Sequence, residues 1–140
     1  MREQYLTDTA VAAPETHGPP PLQPADARSA VRGAVARRAT AYAAAGLDDA
    51  LLVTSELATN AILHGGGITG FDVDVEGCAV RVSISDRSDE VPVAERPVDD
   101  RHRWRAGGRG WPIVCRLARD VEVAGLPSGG KRITAVVPLA

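Results

Sequence analysis

Ser55-Glu56-Leu57-Ala58-Thr59-Asn60-Ala61-Ile62-Leu63-His64-Gly65-Gly66-Gly67 is the stretch on which the reading of this chain turns. Glu56, Asn60 and His64 stand four residues apart in a helix-patterned segment. Four residues is slightly more than one turn, so a carboxylate, an amide and an imidazole fall on one stripe. That stripe, running into three glycines, suits a polyanion with a bound metal. Taken singly, each residue has a plainer reading: a solvated helix carboxylate, a polar surface amide, and a charge partner for the helix's C-terminal dipole.

Working outward, Val53, Leu57 and Ala61 mark the buried face of this helix, Asp48 or Asp49 can cap its start, and Gly65 to Gly67 end it. Before it, Ala27, Val31, Ala34, Val35, Ala39 and Tyr42 recur at helical spacing, with Arg28, Arg32, Arg37 and Arg38 carrying the charge. This predicts a first helix from Ala25 to about Ala45, stopped by Gly46. Residues 1–24 contain Pro14, Pro19, Pro20, Pro21 and Pro24 with few large apolar groups, so burial cannot offset their ordering entropy, and they read as a flexible tail before a domain spanning 25–140.

After the glycines, Phe71, Val73 and Val75 alternate with acidic residues, and beyond a turn at Gly77 so do Val80, Val82 and Ile84 with Arg81, Ser83 and Ser85. This is a hairpin signal. The two-residue repeat puts Asp86 on the face of Val80, Val82 and Ile84. A carboxylate facing a core needs a donor, and at a strand end that donor can be a ligand's amino group. Alternatively Asp86 caps the turn at Arg87-Ser88.

Arg87 to Gly108 lacks a clean period and reads as a long loop, of the kind that serves as a lid or binding segment. It carries Arg101, Arg103 and Arg105, which suit either a terminal phosphate or a solvated cluster balanced by Asp99 and Asp100. Gly107, Gly108 and Gly110 surround Arg109 ahead of a third helix, from about Arg109 to Arg119, with Trp111, Val114 and Ala118 on one face. Open amides there suit phosphate, or simply a hinge and helix entry. A second hairpin, Val121 to Gly125 and Arg132 to Pro138, ends the chain.

Composition narrows the classes. A length of 140 residues suits one domain, and a formal net charge of -2 gives no global electrostatic case for direct nucleic-acid binding. Cys78 and Cys115 have no metal-ligand spacing and read as reduced thiols. No apolar run reaches the roughly 20 residues of a membrane span, and the expectation is a soluble, cytoplasmic protein.

The stripe at 55–65, then Ile84-Ser85-Asp86-Arg87-Ser88, then Gly107-Gly108-Arg109-Gly110-Trp111-Pro112-Ile113-Val114, then Gly130-Lys131-Arg132-Ile133-Thr134 together resemble the Bergerat-fold (GHKL) ATP-binding domain over residues 25–140. Within it the chain is most similar to the small anti-sigma-factor serine/threonine kinases abundant in actinobacteria. The resemblance implies ATP and magnesium as cofactors, with Asn60 coordinating the metal between the phosphates. It implies that Glu56 orients or deprotonates the nucleophile, that His64 lies near phosphate or only finishes the helix, and that Asp86 accepts the adenine amino hydrogen. Gly108, Arg109 and Gly110 would wrap the phosphates, and Thr134 would complete the adenine hydrogen bonds. Two departures stand out. Asp86-Arg87-Ser88-Asp89-Glu90 lacks the glycines of the family's DxGxG motif, and Pro112 replaces a usual leucine.

The fold expected is an α/β (α+β) two-layer sandwich, a mixed and mainly antiparallel sheet with three helices on one face. The function expected is a kinase that phosphorylates an anti-anti-sigma antagonist protein and sequesters a sigma factor; the alternative is an ATP-gated binding module without kinase activity. Homodimerisation is implied by resemblance alone.

Overall fold

The computed structural model describes residues 2–6, 23–38, 45–92 and 110–140, of which 2–6 are described by their backbone. Eight elements follow in chain order: β1 (Arg2–Leu6), α1 (Pro24–Arg38), α2 (Leu47–His64), β2 (Ile68–Glu76), β3 (Ala79–Asp86), α3 (Gly110–Leu117), β4 (Asp120–Gly125) and β5 (Lys131–Pro138). The sheet runs β1-β4-β5-β3-β2, antiparallel throughout except where β1 lies parallel to β4. Three helices pack against it to give the expected α+β sandwich.

Each apolar stripe is buried where its period places it. Ala27, Val31, Ala34 and Val35 of α1, Val53, Leu57 and Ala61 of α2, and Trp111 and Val114 of α3 join one core. The sheet meets them with a row fixed by register: Val80 opposite Val137, Val82 opposite Ala135, and Ile84 opposite Ile133. Asp86 and Lys131 are the next pair in that row. Ser83 and Thr134, Ser85 and Arg132 pair on the other face.

The stretch expected as a tail, residues 1–24, has described elements at both ends. Arg2–Leu6 pairs with β4 from Arg2 and Asp120 to Leu6 and Ala124. This strand pairs through its backbone with the otherwise open edge of β4. Pro24 opens α1, where its missing N–H costs nothing.

The start of α2 differs in mechanism from the expectation, and its end is made by the expected glycines. No side chain caps α2; Gly46 holds the cap position, while Asp48 and Asp49 lie inside the first turn, favoured there by the helix dipole. The Gly46 amide donates to the Leu139 carbonyl at 2.9 Å, and a Cβ on Gly46 would collide with the Pro138 carbonyl oxygen. The start of α2 is thereby tied to the end of β5. At the other terminus the Ala61 carbonyl accepts from both the Gly65 and Gly67 amides, while Gly66 and Gly67 take positive φ values of 77° and 110° that glycine tolerates best. Residues 39–44, the last part of the expected first helix before Ala45, lie outside the described residues.

Candidate functional site

Three chain segments converge on Asp86. The end of α2 reaches it through Gly65, whose carbonyl accepts from the Arg87 amide at 2.8 Å. A Cβ on Gly65 would strike the Asp86 carboxyl group. From the opposite side comes the β4–β5 turn, where Gly130 has φ +85° and a Cβ would strike the Asp86 carbonyl oxygen. The Gly130 amide donates to Asp89 Oδ1 at 2.8 Å, which fixes that turn against the segment after β3.

The carboxyl group itself is buried, and both of its oxygens are engaged. Lys131 Nζ lies 3.0 Å from both Oδ1 and Oδ2, with the two side chains only 6% and 3% exposed. The Ser88 amide donates to Oδ1 at 2.9 Å. Asp86 faces inward, as its strand parity requires, and it caps the following turn through the Ser88 amide. The buried donor, however, comes from the protein. Lys131 was not among the candidate residues, although strand parity offers the signal: it shares the face of Ile133, Ala135 and Val137.

Thr134 is a correction. It sits opposite Ser83 in the register, on the sheet face away from Asp86, and the two hydroxyls are 2.8 Å apart. A strand residue three places from Lys131 has the opposite parity, so Thr134 lies on the other side of the sheet from the Asp86–Lys131 pair.

Along α2 the stripe is as its spacing requires. Glu56 and Asn60 are half-buried and His64 is exposed in the last turn. Glu56 faces the beginning of α3, where its Oε2 comes within 2.6 Å of the place a Cβ on Gly110 would occupy. The carboxylate thus lies by the positive end of that helix. Arg28 of α1 donates to Ser55 Oγ at 2.9 Å, which holds the first helix against α2 beside Glu56. Pro112 stands in the first turn of α3, where no intrahelical amide bond is lost. Gly108, Arg109 and the arginines at 101, 103 and 105 lie outside the described residues.

Two observations bear on a metal. Among the described residues no cluster of three or more His, Cys, Asp or Glu side chains forms a cation site. The Asn60 amide is half-buried, and no hydrogen bond or ion pair engages it among the described residues. A lone amide oxygen fits a hard cation that keeps its waters and takes most other ligands from phosphate, as magnesium does. It does not fit a structural zinc or calcium cage, and Cys78 and Cys115 are free thiols. Among the described residues no helix is long and apolar enough to cross a membrane.

No curated protein is matched by the chain. A family model described as "Histidine kinase-like ATPase domain" matches residues 20–137, which takes in all three helices, β2 to β4, nearly all of β5, the α2 stripe, and Asp86 with Lys131. This ATP-binding, GHKL-type match agrees with the observed α+β sandwich and with Glu56 of α2 facing the start of α3: the chain belongs to the histidine kinase-like ATPase domain family.

Proposed function

We propose that this protein is an ATP- and magnesium-dependent serine/threonine kinase that phosphorylates an anti-anti-sigma antagonist protein and sequesters a sigma factor. The observation that carries the reading is the pairing of Glu56 with Asn60, one turn apart on α2, with Glu56 against the first residue of α3. Asn60 would hold magnesium, which would supply positive charge to neutralise phosphate. Glu56, within reach of the same space, would take the proton from an attacking hydroxyl. Asp86, deep at the other end of α2, would meet the adenine.

Phosphate placed on an antagonist serine adds charge at the contact surface, which disfavours rebinding and frees the kinase for its other partner. The test is transfer of labelled phosphate from ATP, with magnesium, to candidate antagonists. Label on an antagonist serine, lost in Glu56→Ala, is the expected result. Bound ATP with no transfer to any candidate would instead establish an ATP-gated binding module.

A further inference from the structure

Asp86 is the group that the proposed function assigns to the adenine amino hydrogen, and this inference rests on that reading. An ionised carboxylate offers about four lone-pair positions. Lys131 Nζ is 3.0 Å from each oxygen and the Ser88 amide 2.9 Å from Oδ1, so both positions on Oδ1 and one on Oδ2 are taken. Gly65 closes against Oδ2 so tightly that it has no room for a Cβ. The ammonium is in turn satisfied by the two carboxylate oxygens, with the Ser88 carbonyl at 3.4 Å. The pair is self-contained.

We propose that Lys131 is the base-specificity residue of this pocket, and that its ion pair with Asp86 removes the advantage of a 6-amino purine over a 6-oxo purine. An amino group can reach a carboxylate oxygen only by displacing an N–H of Lys131. The same ammonium repels amino hydrogens and attracts a carbonyl oxygen. Asp86 therefore presents the base with a neutral pair rather than a free anion, and phosphate and metal contacts are left to set nucleotide affinity.

The experiment is a comparison of ATP with ITP, which differ at the 6-amino and 6-oxo groups, by calorimetric titration with magnesium. In the wild type the two affinities should agree within about threefold. In Lys131→Met, ATP should lead by about tenfold or more, the effect of a hydrogen bond to a charged acceptor. Lys131→Arg keeps a cation on Asp86 and should retain the wild-type ratio. Lys131→Gln removes the charge yet leaves a donor for the buried carboxylate, and its ratio should also rise even where the methionine variant does not fold. An ATP-to-ITP ratio that does not rise in the neutral variants overturns the assignment while leaving nucleotide binding intact. Absence of binding by either nucleotide, in wild type and variants alike, overturns both this assignment and the function on which it rests.

Discussion

Glu56 Oε2 lies 2.6 Å from the position that a Cβ on Gly110 would occupy, so the start of α3 and the carboxylate of α2 share a space that admits no side chain. The obstructing atom is the far end of a flexible side chain, which can rotate away. Gly110→Ala should therefore leave the fold intact: in a helical position alanine is favoured over glycine by up to about 1 kcal/mol. The displaced carboxylate should nonetheless slow phosphate transfer by about tenfold or more, since small misplacements of a catalytic group are costly. Urea unfolding and single-turnover transfer on the same preparation separate the two effects; equal transfer rates would mean that the Glu56 position is immaterial.

Glu56→Gln preserves size and removes the basic oxygen. The expected outcome is a loss of about 10²-fold or more in transfer, the scale of a general base, with magnesium-dependent ATP affinity within about threefold of wild type. Loss of affinity in step with the rate would assign Glu56 to binding instead.

Asn60 is half-buried, and no hydrogen bond engages its amide among the described residues. Asn60→Ala should change unfolding stability by no more than about 0.5 kcal/mol, the usual scale for a side chain outside the core network. ATP affinity should fall by about tenfold or more with magnesium present and change little when the metal is chelated. An equal loss under both conditions would remove the metal role.

Those features that depend on local repeats were legible in the sequence. The α2 stripe follows from a 3.6-residue period, and the inward direction of Asp86 from the two-residue period it shares with Val80, Val82 and Ile84. What depends on register between distant strands was not. Lys131 is 45 residues from Asp86, and nothing local to it announces that partner. Thr134 was misplaced because family resemblance gives the order of motifs, whereas the side of the sheet is set by parity counted from the β3–β5 register. β1 was missed because an edge strand is recruited by backbone groups, which leave no pattern in side chains.

The β4–β5 turn permits a clean separation of backbone strain from packing. Gly129 and Gly130 have similar positive φ values, 96° and 85°, but a Cβ on Gly129 meets nothing within 4 Å, whereas one on Gly130 meets the Asp86 carbonyl oxygen. Both alanine variants incur the left-handed conformation, about 1 kcal/mol. Gly130→Ala should be less stable than Gly129→Ala by a further 1–3 kcal/mol or so, the range for overpacking. It should also weaken ATP binding, because the carbonyl that must yield belongs to Asp86. Chemical denaturation and a nucleotide titration of the two variants provide the check, and equal stabilities would show that the turn can shift away from β3.

The Asp86–Lys131 pair should behave as a coupled unit in folding. Removing one member strands a charge that is almost wholly buried, so Asp86→Leu or Lys131→Met alone should cost about 3–5 kcal/mol. Changing both to apolar residues removes the stranded charge together with the desolvation cost, and the double variant should be more stable than either single one. The Ser88 amide then loses its acceptor on Asp86, which keeps the double variant from full recovery by about 1 kcal/mol, one hydrogen bond's worth. A double-mutant cycle from urea unfolding measures the coupling directly. Additive losses would mean that the two groups are solvated independently, and the masking of Asp86 by Lys131 would fall with them.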